Sequence, residues 1–480
     1  MNYRMVLKSL GTVLCIEALC MMPSLGVALY YAQGDALTFV YAIAILLCCG
    51  FVMRSIPAGT TDIYARDGFA IVAVSWIMVS LFGALPFLLS GAIPGVVDAL
   101  FESISSFSTT SASVVPDIEA LPRGILFWRS FMHWMGGMGV LVLMLAILPS
   151  VKASTVYIMR AESPGPSTEK FVPKIGRVAK ILYLIYAAFT AIETLVLCAG
   201  GMPLYDALIH AFGTASTGGC SSKNASLAAF PGDYFEIVVA IFMLICGVNF
   251  TLYHAAFKRN FRAILRNEEL RLYLGTLILV TVLITLNIHR SIYASLWEST
   301  RHALFQATSI MTTTGYASED FSLWPLFSQC LLLGLMFIGA SAGSTSGGFK
   351  CLRLLLLIKA AIRALRKSVH PNSVHVVKVN GKAVSEEILS GVTLFFFVYC
   401  AVCCLALLVV ALDNADFVTS ATAVLASISN IGPGLGDVGP MNSYATFSPL
   451  SKGVLALCMM IGRLEIYPIL LLFAPAFWKK

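Results

Sequence analysis

Charge is scarce in this chain. Only 12% of its 480 residues are Asp, Glu, Lys or Arg, where a soluble domain carries roughly 25%. So few charges cannot cover a core built from the 58% of residues that are hydrophobic, and much of the surface is expected to face lipid. Convergent chemistry is lacking too. Histidines 133, 210, 254, 289 and 302 stand apart, and no nucleophile, base or metal cluster gathers, so an enzyme is not expected. There is no glycine-rich phosphate loop to hold a nucleotide. The 13 cysteines are scattered through apolar stretches and make no disulfide framework. Cys400, Cys403 and Cys404 come nearest to a metal spacing, but they sit in a helix-length apolar run with no second pair, which points to a buried structural role. The net charge of +7 does not point to nucleic acid, because the basic residues form no aromatic-rich face.

Long apolar runs are abundant instead. A membrane-spanning helix needs about 20 mostly apolar residues. Ten runs qualify, at about 11–32, 36–53, 69–90, 125–148, 180–200, 235–257, 272–289, 323–357, 387–412 and 451–473, the eighth overlong and interrupted. The first is too long for a signal-peptide core and is read as retained. Basic residues cluster at 4–8, 54–66, 152–180, 258–271, 359–382 and 479–480, which together hold 23 of the 32 Lys and Arg. The opposite loops hold Arg123, Arg129, Lys223, Arg290, Arg301 and Lys452, beside the acids Asp98, Glu102, Asp117, Glu119, Glu319, Asp320 and Asp437. By the positive-inside rule both termini are expected to be cytoplasmic.

Four outer loops share one plan: an amphipathic segment, then a turn of small polar residues. The turns read FSTTSASVV at 107–115, TASTGGCSS at 214–222, MTTTGYASED at 311–320 and ISNIGPGLGD at 428–437. Aligning Ser111, Gly218, Gly315 and Gly432 spaces them 107, 97 and 117 residues apart, the recurrence of a repeated unit. Irregular backbone at membrane depth is tolerated only where it lines a water-filled cavity or is buried in protein. Four such turns on one axis would ring a pore with carbonyl oxygens able to replace the hydration shell of a monovalent cation. The candidate filter residues are Thr109, Thr110 and Ser111; Thr217 and Gly218; Thr313, Thr314 and Gly315; and Asn430, Ile431 and Gly432. All four turns lie on the outer side, so the repeats run in one orientation. That argues against an inverted-repeat carrier of organic solutes.

These stretches resemble the TrkH branch of the Trk/Ktr/HKT superfamily of potassium transporters over nearly the whole length. The resemblance is carried by RDGFAIVAVSWIMVSLFGALPFLLSG at 66–91, FWRSFMHWMGGMGV at 127–140, SIMTTTGYASEDF at 309–321, GASAGSTSGGFKCLRLLLL at 339–357, NIGPGLGDVGP at 430–440 and IGRLEIYPILLLFAPAFW at 461–478. It implies an all-α membrane protein of a bacterial cytoplasmic membrane. Two extra helices at 1–66 would precede four helix–pore-loop–helix repeats, at 67–150, 178–258, 271–357 and 384–476, around a pseudo-fourfold pore for potassium. It also implies a homodimer and a cytoplasmic nucleotide-binding ring of TrkA type, which would bind the nucleotide. Where this family usually has a first-filter glycine the chain has Ser111. In related plant transporters Ser there goes with sodium permeation, so a sodium-permeable transporter is the alternative.

The stretch 339–350 breaks the third repeat's second helix with Gly339, Gly343, Gly347 and Gly348, each costing about 1 kcal/mol relative to Ala in a helix. The residues alone also fit a close-packed small-residue seam; the resemblance places an intramembrane gating loop here. Arg463, deep in the last span, is expected to hold the closed loop by hydrogen bonds to its carbonyls and to repel cations. On a continuous helix Glu465 would turn away from that face.

Overall fold

The computed structural model describes residues 2–57, 65–139, 175–230, 232–373 and 375–478. Among them the named elements are helices, apart from one short hairpin pairing Lys378–Val379 with Lys382–Ala383. Two N-terminal helices come first. Tyr3–Cys20 continues into Met22–Tyr31, and Ala36–Arg54 returns against it. The two cross at small residues: a Cβ added to Gly11 would lie 2.6 Å from the Gly50 carbonyl oxygen. Such close backbone approach is how helices associate where lipid supplies no hydrophobic drive.

Four units of one plan follow. Their first helices are Ala65–Gly83 with Leu85–Leu89, Ile175–Ala199, Glu268–Ile288 and Glu386–Val410. Their half-helices are Val96–Phe107, Leu204–Ala215, Leu296–Met311 and Phe417–Ile428. Their second helices begin with Arg123–Gly137, Asp233–Cys246, Leu326–Ile338 and Pro449–Arg463. Each half-helix starts beside an acid that complements its dipole. Asp98, Asp206 and Glu298 lie in first turns, and Asp416 caps the fourth by accepting from the Val418 amide at 3.1 Å. At the other end each half-helix runs into the interior, where Phe107, Ala215, Met311 and Ile428 are buried. No last turn carries a basic residue. Four uncompensated negative helix ends therefore converge inside the protein.

Among the described residues six helices are long and apolar enough to cross a membrane unaided, and the bent pair Asp233–Cys246 with Phe250–Ala256 makes a seventh. The remaining expected spans are shorter because the second helices break. The sequence pointed to one such break, in the third repeat, but the second repeat's helix bends by 91°. The fourth ends at Arg463, followed by Glu465 and Ile466 at φ 56° and 69°. The first ends at Gly137. Residues 140–174, with the end of the expected 125–148 span and most of the 152–180 basic cluster, lie outside the described residues. The cysteine expectation also needs correction. Cys404 is exposed and Cys400 and Cys403 half-buried on the helix Glu386–Val410, Cys403 packing against the core.

Candidate ion filter and gate

Each half-helix ends in the same way. Its cap amide bonds four residues back, the next amide three back and the next five back. The five-back bonds run from Thr110 to Ser105, Gly218 to Gly213, Thr314 to Ser309 and Ile431 to Ala426, at 2.7–2.9 Å. The residue before each takes left-handed backbone: Thr109 at φ 59°, Thr217 at 52°, Thr313 at 58° and Asn430 at 56°. Asparagine tolerates that region, but for β-branched threonine it is a strained exception. Strain of this kind persists only where the surroundings impose it, and it clusters at functional sites.

The residue after each is also left-handed: Ser111 at φ 62°, Gly219 at 61°, Gly315 at 81° and Gly432 at 99°. This corrects the register of the second turn by one. Gly218 stands with Thr110, Thr314 and Ile431, and Gly219 is the counterpart of Ser111, Gly315 and Gly432. Two adjacent glycines gave the sequence no way to choose. Gly218 lacks a side chain because the ring of His133 fills its place, 2.5 Å from where a Cβ would stand.

The four strands close into a ring. A Cβ added to Gly219 would fall 2.0 Å from the Thr314 carbonyl oxygen, one on Gly315 2.0 Å from that of Ile431, and one on Gly432 2.4 Å from that of Thr110. Repeat 2 thus abuts repeat 3, repeat 3 abuts repeat 4, and repeat 4 abuts repeat 1. The fourth corner, where Ser111 keeps its side chain, is tied differently, through Glu102, Arg129 and Cys220. Thr109, Thr110, Thr217, Thr313, Thr314, Asn430 and Ile431 are fully buried in the protein.

Each strand is held from behind by its own half-helix. In repeat 1 the Glu102 carboxylate accepts the Val114 amide at 3.0 Å and the Ser113 hydroxyl at 3.1 Å. In repeat 2 His210 Nε2 meets Ser221 Oγ at 3.0 Å, and in repeat 3 Gln306 Nε2 donates to the Glu319 carbonyl at 3.3 Å. In repeat 4 Thr422 Oγ1 accepts the Leu435 amide at 3.0 Å, and the Tyr444 hydroxyl donates to the Gly432 carbonyl at 2.7 Å. At the outer rim repeats 1 and 2 meet again. Asn224 donates to Asp117 at 2.8 Å and Lys223 to Glu119 at 2.9 Å. The Asn224 bond holds the Asp117 carboxyl below its usual range, and the Lys223 bond does the same for Glu119.

Below the ring the loop from Gly339 to Lys350 joins the two halves of the broken third-repeat helix. Its anchors come from the other breaks. Ser341 donates its amide to the Gly247 carbonyl at 3.1 Å, and Phe250 donates to the Gly343 carbonyl at 3.0 Å. The 91° bend of repeat 2 and the loop thereby satisfy each other's freed backbone groups, as a membrane interior demands. Ala342 donates to Glu269 at 2.5 Å, and the Gly347 amide donates to the hydroxyl of Thr313, in the third turn, at 2.7 Å. Gly339, Gly343 and Gly348 take φ between 70° and 75°. Gly347 has no room for a Cβ, which would lie 2.4 Å from the Ser429 carbonyl oxygen.

Arg463 meets the loop as the sequence led one to expect. Nη1 donates to the Thr345 carbonyl at 2.7 Å. Nη2 donates to the Gly136 and Gly137 carbonyls at 2.6 Å, in the last turn of the repeat-1 helix, and Gly136 also accepts the Gly139 amide at 3.0 Å. Glu465 is not placed by helix periodicity, since the helix stops before it; it pairs with Arg353. Sequence reasoning missed Lys350, a buried cation at φ 80° whose Nζ bonds to Ser346 in the loop. Its signal was a lone charge directly after the glycine-rich stretch. It also missed Glu102 and Arg129, counted as outer-loop charges although they are 0% and 2% exposed.

The model of the TrkH family, described as a cation transport protein, matches residues 36–480. The chain belongs to this TrkH family. It is 36% identical over 489 aligned residues, covering all of both chains, to the Trk system potassium uptake protein TrkH of Salmonella typhimurium. It is 32% identical to the Trk system potassium uptake protein TrkG of Escherichia coli, across 100% of this chain and 99% of that one. The crystal structure of the potassium transporter TrkH from Vibrio parahaemolyticus superposes with a TM-score of 0.90 at 35% identity, covering all of both chains. The expected architecture, two helices and then four helix–pore-loop–helix repeats about a pseudo-fourfold axis, is the observed one. It is that of a bacterial membrane protein whose relatives are transporters.

Proposed function

We propose that this TrkH-family chain takes up potassium across the bacterial cytoplasmic membrane, through a filter built by its four turns and gated by the loop below them. The observation that carries the reading is the fourfold recurrence of one strained turn, in one hydrogen-bonded register, closed by contact into a ring. Thr109–Ser111, Thr217–Gly219, Thr313–Gly315 and Asn430–Gly432 would present carbonyl oxygens that replace potassium's hydration shell. The converging half-helix ends add negative potential. Potassium is the cargo named for the relatives, which makes sodium permeation through Ser111 the weaker reading.

In the closed state the loop bearing Gly339, Gly343, Gly347 and Gly348 would fill the path, with Arg463 and Lys350 placing positive charge on it. Opening would need the Arg463–Thr345 bond to break and the loop to leave Thr313. We further infer that both termini are cytoplasmic, that 1–66, 67–150, 178–258, 271–357 and 384–476 are the structural units, that the protein is a homodimer, and that a TrkA-type nucleotide-binding ring drives the loop from the cytoplasm. Chemical crosslinking and co-purification test the last two. Potassium-limited growth of a host lacking its own uptake systems tests the function. Failure of an expressed, membrane-inserted chain to restore growth and Rb+ uptake, with such a ring co-expressed, counts against it.

A further inference from the structure

We propose that the buried Glu102–Arg129 ion pair sets ion discrimination at the repeat-1 corner of the filter, as a positioning pair acting through the strand Ser111–Val114. The inference rests on the filter reading above. Repeats 2 to 4 are supported by hydrogen bonds to His210, Gln306 and Thr422, and in repeat 2 the Asp206 carboxylate, which forms no ion pair among the described residues, also accepts the Ser222 hydroxyl at 2.6 Å. Repeat 3 adds His302 beside the half-exposed Glu319 at 3.9 Å, but only in repeat 1, among the described residues, is the support a guanidinium–carboxylate pair, and it is fully enclosed, with Arg129 2% and Glu102 0% exposed. Both Glu102 oxygens accept from the Ser113 hydroxyl at 3.1 Å, and Oε2 also accepts the Val114 amide at 3.0 Å. Arg129 Nε closes the pair, and its Nη1 donates to Cys220 Sγ at 2.9 Å. Cys220 directly follows Gly219, so one guanidinium spans the strands of repeats 1 and 2.

Those strands flank the one corner without a positive-φ glycine packed on a neighbouring carbonyl. Ser111 keeps a side chain in left-handed backbone at φ 62°, and close packing alone cannot set its position as it does for Gly219, Gly315 and Gly432. Charge-assisted hydrogen bonds are shorter and roughly twice as strong as neutral ones. The pair therefore replaces, from behind, the constraint that glycine packing supplies elsewhere. Loosening it should let the strand relax outward, and a wider corner discriminates less between potassium and sodium.

The test uses the purified full-length protein in liposomes, reading the K+/Na+ permeability ratio. Glu102→Gln is expected to lower the ratio several-fold while cation flux persists. Arg129→Lys, which keeps charge but loses the span to Cys220, should be intermediate. Ser113→Ala leaves the pair intact, cuts the hydroxyl link, and should shift the ratio the same way by less. A wild-type ratio in folded Glu102→Gln makes the pair mere scaffold and overturns the inference. If that variant does not reach the membrane, Ser113→Ala decides, and an unchanged ratio there overturns it. Gly432→Ala separates the two readings. Normal potassium flux in that variant brings down the filter assignment itself, whereas blocked flux with unmoved ratios in the other variants brings down this inference alone.

Discussion

Replacing Gly315 by alanine brings two costs that the structure keeps apart. The first is backbone strain, because Gly315 sits at φ 81°, where an L-residue costs roughly 1–2 kcal/mol. Ser111 already bears that cost at φ 62°, so strain by itself does not forbid a working turn. The second is contact. The new Cβ would stand 2.0 Å from the Ile431 carbonyl oxygen, where ordinary contact begins at 3.4 Å, so that oxygen must move by more than an ångström. It is itself a candidate ion ligand. A hydrogen bond to a charged group contributes about 1.5–3 kcal/mol, and one ligand displaced on that scale slows flux about ten- to a hundred-fold, at about 1.4 kcal/mol per factor of ten. Rb+ uptake in a potassium-uptake-deficient host, normalised to protein in the membrane fraction, measures it. Gly275→Ala and Gly453→Ala meet nothing within 4 Å and serve as controls with normal uptake. Normal Rb+ uptake by a well-expressed Gly315→Ala would falsify the assignment of the third turn.

Ser111→Gly should restore the glycine packing seen at the other corners and raise the potassium-to-sodium flux ratio; equal ratios in the two proteins would make Ser111 tolerated packing. Arg463→Ala removes the hydrogen bond to Thr345 at 2.7 Å and a positive charge on the proposed path. Two unit charges 4 Å apart repel by about 4 kcal/mol at an effective dielectric near 20, and even a fraction of that is a large barrier. Flux without the proposed cytoplasmic ring should therefore rise, and a fall or no change in both Arg463→Ala and a partial deletion of 339–348 would place the gate elsewhere. At the outer rim, Asp117 and Glu119 have lowered carboxyl values in the folded protein. Their stabilisation is full above the ordinary carboxylate range and is lost as pH falls through the lowered values. Melting of the solubilised protein should show that acid-side loss, and Asn224→Ala should reduce it; identical profiles would mean the rim seam contributes nothing.

The repeats were legible because four turns of Thr, Ser and Gly recur between long apolar runs, and only a shared backbone need explains that recurrence. The break in the third repeat's second helix was legible for a related reason, since four glycines within 339–348 cannot continue a helix. What escaped the sequence depended on neighbours far along the chain. The choice between Gly218 and Gly219 is made by His133, which takes the space a side chain at 218 would need. The bend at Gly247–Asn249 carries no proline and reads as one apolar span; it is stable because the loop satisfies its backbone, as in the Phe250–Gly343 bond of 3.0 Å. Glu102 and Arg129 looked like loop charges because each stands alone in sequence, 27 residues apart, and only the return of the second helix behind the filter brings them together. Lys452, also counted outside, is buried and pairs with Asp98 at 2.7 Å.

The central claim is that the four turns make one cation site on a common axis. Anomalous scattering from crystals grown in Rb+ or Tl+ tests it most directly. The expected result is a peak on the pseudo-fourfold axis, in contact with the backbone carbonyls of Thr110, Gly218, Thr314 and Ile431 or of their immediate neighbours, and lost in Gly315→Ala. A strong peak elsewhere with none inside the ring, or a ring peak that survives the substitution unchanged, would contradict the account.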